Sequence, residues 1–159
     1  MRAGDSYGAS AMKLELRQAV LSDVDDLMAL GAAHAGFSVS EKIRFYERDE
    51  LIEWISKPDE NILLAAVVDG RIAGFLFTKI MSWHWAMLDN FYLHPAQRGK
   101  QIGQRLLEEL FKQLRARKIQ YVSTLISTEE PELIAYFRRQ NFDAGKSYVW
   151  CDRFLSDKE

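Results

Sequence analysis

The chain has 159 residues and a formal charge of −2, with a sequence pI near 6.0. That balance lacks the basic excess of a general nucleic-acid binder, and no apolar run approaches the roughly 18 residues of a membrane span. With 48% hydrophobic and 28% charged residues, the composition is that of one folded domain and not of a disordered chain. Cys151 is the single cysteine. An internal disulfide is therefore excluded, which fits a reducing, cytoplasmic setting. In the run YVWCDRF, Cys151 reads as a small buried hydrophobe.

Residues 1–11, MRAGDSYGASA, are small and polar with no hydrophobic signal-peptide centre. They read as a loose extension or an expression remnant, and the domain as residues 12–159, starting afresh at Met12. KLELRQA alternates apolar and polar, as a strand does. Ser22 is placed to cap a helix through SDVDDLMALGAAH, with acids in its first turn. SEKIRFYERDELIEWISK reads as one helix or two short ones, ending near Pro58. NILLAAVV and RIAGFLFTKI are strands joined by Asp69-Gly70, a two-residue hairpin signal. MSWHWAMLDNFYL is a third strand region, GQRLLEELFKQLRARK an amphipathic helix and IQYVSTLIS a strand. PELIAYFRRQN is a helix with Pro131 in its first turn and Asn141 suited to a left-handed end. KSYVWCDRFL reads as a last strand, whose free edge could pair with a second copy; dimers are the commonest oligomers. The order predicts a single α/β domain with a mixed sheet.

The chemistry concentrates at LHPAQRGKQIGQRLLEELF, residues 93–111. A strand meets a basic, glycine-containing loop that feeds directly into a helix. Gly99 and Gly103 let backbone approach a ligand closely. The first amides of the helix have no helical partner and can point at phosphate oxygens, helped by the helix dipole. Arg98 and Lys100 add full positive charge. A solvated turn before a surface helix is the competing reading. Neither GxxxxGK[ST] nor GxGxxG is present, so ATP-type and dinucleotide loops have no support.

The arrangement LDNFYLHPAQRGKQIGQRLLEEL resembles the acetyl-coenzyme A motif of the GCN5-related N-acetyltransferases, a strand followed by [QR]-x-x-G-x-[GA] and a helix. The likeness extends over residues 13–155 in the order of strands and helices. It implies a central, mostly antiparallel twisted sheet flanked by helices. It also implies acetyl-CoA as co-substrate, with the loop Arg98, Gly99, Lys100, Gln101, Ile102, Gly103 and Gln104 around the pyrophosphate. Backbone groups of Phe91 and Leu93 would pair with the pantetheine arm. Gln101 stands where the middle glycine is usual: with a negative φ its amide can still donate, and with a positive φ the loop is strained. Asn141 replaces a second glycine, and Asn tolerates the left-handed region well.

Transfer of acetyl to an amine needs a neutral nucleophile and a way to stabilise the departing thiolate. An aspartate inside the apolar strand LDNFYL needs a reason, and the resemblance implies that Asp89 is the base or water-holder. The family's thiolate-side acid is a tyrosine on the late helix. Counting from Phe142 puts Phe137 there; counting from Glu130-Pro131 puts Tyr136 there, and Tyr136 is taken as the acid. His34, His84 and His94 show no metal-ligand spacing, so no metal is expected. His84, between Trp83 and Trp85, reads as hairpin packing or a substrate wall. The acidic stretch Glu47, Asp49, Glu50 and Glu53 would attract a cationic amine or is simply a solvated face. The aromatics Trp83, Trp85, Phe91 and Tyr92 cannot all line one pocket, because a strand alternates. The expected acceptor is a primary amine of a small molecule or peptide, with neither nucleic acid nor membrane as partner. The alternative is a catalytically inactive acyl-CoA-binding module of the same fold.

Overall fold

A computed structural model describes residues 11–155. Five strands form one sheet in the order of the chain: β1 (Leu14–Gln18), β2 (Asn61–Val68), β3 (Arg71–Ile80), β4 (Trp85–Leu93) and β5 (Tyr121–Thr124). The first four are antiparallel and β5 joins β4 in parallel. Residues 1–10, most of the expected N-terminal extension, lie outside the described residues.

β2 shows why the sheet is covered on both sides. All eight of its residues are buried, and a strand buried on both faces is read as a continuous apolar run. Ile62, Leu64, Ala66 and Val68 pack with α3 (Ile102–Ala116) and Phe137 of α4 (Pro131–Arg139). Leu63 packs on the other face with Phe75, Phe77 and Tyr92, under α1 (Val24–Ala33) and α2 (Arg48–Ile55). The β2–β3 turn is the expected one: Asp69 and Gly70 have φ of 49° and 81°, the two left-handed residues of a type I′ hairpin.

α3 buries Ile102, Leu106, Leu107, Leu110 and Leu114, the stripe its leucine spacing predicts. α4 ends as Asn141 suggests. Asn141 has φ 63°, its N–H donates to Arg138 O at 3.0 Å, and Phe142 N–H donates to Phe137 O at 3.0 Å. That is a Schellman end with Asn where glycine is commonest.

Four expectations fail. Ser22 is not the cap: a 3-10 turn spans Leu21–Asp23, and the Asp23 carboxylate accepts from Val20 N–H and from Arg17 Nη1 and Nη2. Burial pushes the Asp23 pKa up, but those bonds outweigh it and hold it below its usual value. Helix in the 40–57 region is confined to Arg48–Ile55, because Glu47 starts it, with its N–H donating to Glu50 Oε2 at 2.9 Å. The last strand does not form: residues 142–155 have no regular structure. Cys151, on that segment, is exposed and not buried.

Candidate active site

β4 carries the site, and a bulge shapes it. Phe77 pairs with Asn90 but Thr78 pairs with Leu88, so Asp89 is the extra residue on β4. A bulge re-aims a side chain and bends its strand. On the other edge, pairing with β5 stops at Leu88 and Thr124. From Asp89 onward β4 therefore has an edge open toward β5. His94 N–H turns the other way, to Ala73 O on β3 at 2.7 Å. Strand alternation then directs the main-chain groups of Leu93 and Phe91 to the open edge. Consistently, Leu93 O accepts from Arg98 Nε at 3.2 Å.

The loop below is a 3-10 turn, Pro95–Gln97, capped by His94, whose Nδ1 accepts from Ala96 N–H. Two left-handed residues follow, Gly99 with φ 73° and Gln101 with φ 61° and ψ 10°. Of the two conformations open to Gln101, the structure takes the strained one; the turn into α3 needs the left-handed region there. The first amide bonded back within α3 is Arg105 N–H, to Gln101 O at 3.0 Å. The amides of Ile102, Gly103 and Gln104 precede it and are free of i→i−4 bonds. Ile102 is fully buried, so it offers the loop only its backbone. Lys100 is tied back to Gln97 Oε1 and Gln104 to Glu108 Oε1.

A non-glycine residue in the left-handed region costs about 1–2 kcal/mol. Gln101→Gly removes that strain and is expected to raise the melting temperature by about 2–4 °C, the response of a domain this size to about 1 kcal/mol. Differential scanning calorimetry reads it; an unchanged or lower value would mean the glutamine side chain supplies compensating contacts.

Tyr136 and Phe137 take different places, as a turn of about 100° per residue requires. Phe137 is buried in the core, edge-on to Phe91 and Phe142. Tyr136 stacks on Phe91 with ring centres 5.8 Å apart and carries its hydroxyl to the start of α3. A Cβ built on Gly103 would lie 3.0 Å from Tyr136 Oη and 3.1 Å from Phe91 Cζ, so any larger residue here must push these two rings aside. Tyr136 Oη is buried without a hydrogen-bond partner, and burial raises its pKa above the usual phenol value. An orphaned hydroxyl beside a helix N-terminus and an open strand edge suits a ligand that brings its own acceptor.

Asp89 lies on the opposite side of β4 from this hydroxyl's helix, in a network that sequence reasoning missed. Tyr46 Oη donates to Asp89 Oδ2 and accepts from Asn90 Nδ2. Burial, then the Asp89 charge, drives the Tyr46 pKa far upward, so Tyr46 stays a neutral donor. Lys79 Nζ lies 3.9 Å from Asp89 Oδ2 and 3.8 Å from the centre of the Trp54 ring, a cation–π distance. A lone lysine in the strand RIAGFLFTKI was the available signal. Tyr46 gave none, being 43 residues from Asp89.

The other candidates scatter. Glu47, Asp49, Glu50 and Glu53 form an exposed face, with Glu53 bonded to Lys57. Trp83 is exposed, Trp85 Nε1 donates to Ser123 Oγ, and Tyr92 is buried with its hydroxyl on His34 Nε2. His84 packs on Trp83. Among the described residues no His, Cys, Asp and Glu side chains gather as a metal site.

Comparison with known proteins gives this geometry a context. Residues 30–142 match the model of the Acetyltransferase (GNAT) family. An uncharacterized N-acetyltransferase, ycf52 of Porphyra purpurea, is 25% identical over 170 aligned positions, which cover 94% of this chain and 92% of that protein. The crystal structure of the PaiA N-acetyltransferase of Thermoplasma acidophilum in complex with coenzyme A superimposes with a TM-score of 0.75 at 21% identity, covering 86% of this chain and 93% of that one. An aminoglycoside acetyltransferase from an uncultured soil metagenomic sample, in complex with sisomicin, gives a TM-score of 0.70 at 12% identity, covering 90% and 97%. With its bulged fourth strand opening onto a left-handed loop and helix, the chain belongs to the acetyltransferase (GNAT) family.

Proposed function

We propose that this chain transfers an acetyl group from acetyl-CoA to a primary amine of a small molecule or peptide, by direct attack in a ternary complex. One observation carries the reading. β4 opens from β5 at the residue where the bulge re-aims Asp89, and its open edge runs straight into the free amides at the start of α3. That single line of backbone offers pairing groups for an extended arm and donors for a pyrophosphate. The coenzyme A complex of the Thermoplasma relative supports the same assignment of the ligand.

Acetyl-CoA supplies the activated thioester. The amides of residues 99–104, with Arg98 and Lys100, would hold its pyrophosphate, and the main chain of Phe91 and Leu93 its pantetheine. Asp89 takes a proton from the acceptor's ammonium, directly or through a water. The freed nitrogen bonds to the carbonyl carbon as the carbon–sulfur bond breaks. Tyr136 donates its proton to the departing sulfur, which leaves as free CoA, and the phenolate recovers the second proton that the acylated nitrogen loses. Tyr46 and Asn90 hold the carboxylate in place. The single cysteine fits a cytoplasmic setting for this reaction.

Thermal-shift titration with acetyl-CoA tests the ligand half. A ligand at a hundred times its Kd stabilises by about 2.7 kcal/mol, which for this size is a rise of roughly 5–10 °C. CoA should act alike and ATP should not. No shift at millimolar acetyl-CoA would overturn the assignment. An amine screen that reads release of free thiol then tests transfer.

A further inference from the structure

Lys79 stands beside Asp89 and plays no part in the transfer to a free acceptor. It lies near the end of β3. Phe75 and Phe77 pack under α1 and α2, and strand alternation sends Lys79 to the same side. Across the ladder it pairs with Met87, two residues before Asp89. Its Nζ lies 3.9 Å from Asp89 Oδ2 and 3.8 Å from the centre of the Trp54 ring, with the Tyr46 ring centre 5.8 Å away. Lys79, Asp89 and Asn90 line one cleft.

An ion pair is the ordinary role for such a lysine, and it explains little here. At 3.9 Å the ammonium is outside hydrogen-bond range of the carboxylate. The lysine side chain is 38% exposed, and an exposed pair adds little to stability. Asp89 is held without it, because Tyr46 Oη already donates to Oδ2. Other lysines are tied more closely: Lys57 Nζ is 2.6 Å from Glu53 Oε1 and Lys100 Nζ is 3.0 Å from Gln97 Oε1. Lys79 is instead a primary amine on a flexible stem, seated on an aromatic face and one short step from the group that takes protons from ammonium ions. Those are the attributes of an acceptor.

We propose that Lys79 is itself an acetyl acceptor, so that the chain acetylates its own β3 lysine when acetyl-CoA is bound and no free amine fills the cleft. This rests on the acetyl-transfer reaction proposed for the site. Asp89 takes a proton from the Lys79 ammonium, directly or through a water. Nζ bonds to the thioester carbonyl carbon as the carbon–sulfur bond breaks. The sulfur takes a proton from Tyr136 and leaves as free CoA, and the phenolate recovers the second proton that the acylated nitrogen loses. The products are an acetamide on Lys79, free CoA and one proton, the one taken up by Asp89. Tethering places this amine at the thioester at an effective concentration far above that of a dissolved acceptor. The amide is neutral, so the modification also ends the attraction of Nζ to Asp89 and to the Trp54 face.

Intact-protein mass spectrometry of the full chain incubated with acetyl-CoA, followed by peptide mapping, tests this. The expected result is one acetyl group per chain, on Lys79, lost in Lys79→Arg. The rate should be independent of protein concentration, because donor site and acceptor share one chain; a rate that grows with it overturns the intramolecular route. Asp89→Asn should slow the labelling about a hundredfold, the low end for a lost general base, while stabilisation by acetyl-CoA persists. Labelling at an unchanged rate in that folded variant overturns the proposal. The exposed Lys112 and Lys118 report acetylation from solvent and decide the matter if the variant fails to fold: Lys79 labelled no faster than these two overturns the proposal as well. If acetyl-CoA stabilises the chain but Lys79 stays unmodified, self-acetylation falls and the transfer reaction stands. If acetyl-CoA does not stabilise the chain, both fall together.

Discussion

Asp89→Asn is expected to lower turnover on the first amine acceptor found by about 10²–10⁴-fold, the range typical of a lost general base, while the protein stays folded. The fold survives because the substitution keeps shape and an acceptor oxygen. Tyr46 can still donate to the amide oxygen as it does to Asp89 Oδ2, and Lys79 keeps its seat over Trp54. What disappears is the group that can take a proton. Stabilisation by acetyl-CoA should not change, because Asp89 is not part of the loop at 98–104. That pairing of intact binding with lost turnover separates base catalysis from a general disturbance of the site. Unchanged turnover would remove Asp89 from the chemistry and leave the strand bulge without its proposed purpose.

The parts of this site that could be read from the sequence are those whose causes are local. The run NILLAAVV reads as a strand covered on both faces, and Asp69-Gly70 as a tight turn between two such strands. The leucine spacing of α3 fixes which side meets the sheet. Asp89 stood out because a carboxylate in LDNFYL has no business in a core. The network around it was hidden for the opposite reason. Tyr46, Lys79, Trp54 and Asn90 meet only through tertiary packing of the 38–47 loop and α2 on the sheet, and no spacing announces that. Gln101 left two conformations open because residue type favours a negative φ, while the path from the 3-10 turn into α3 demands a positive one. The C-terminal run misled in a more instructive way. KSYVWCDRFL has the composition of a strand, but strand is a property of a pair, and within the described residues its partner is missing.

Phe137→Ala and Tyr136→Phe should have opposite consequences, though the residues are neighbours on one helix turn. Phe137 is 3% exposed and meets Phe91, Tyr136 and Phe142 edge-on. Truncating it leaves a cavity between α4 and the sheet and should cost about 3–5 kcal/mol, a fall in melting temperature of roughly 6–20 °C for this size. Tyr136→Phe keeps the ring stacked on Phe91 and deletes a hydroxyl that has no partner. Stability should therefore hold or rise slightly, since no hydrogen bond within the protein is lost. Turnover should fall about a hundredfold, the low end of the range for a lost acid, because a thiol is already a fair leaving group. Burial holds the Tyr136 pKa above its usual value, so the phenol remains protonated from about pH 6 to 9 and the deficit should be even across that range. Calorimetry and steady-state kinetics on the two variants decide the point. If Tyr136→Phe turns over like the wild type, the hydroxyl has no part in thiolate departure, and its orphaned position at Gly103 would serve binding alone. If it loses stability as Phe137→Ala does, the hydroxyl is a structural group and the stacking on Phe91 is not all that the helix needs from this position.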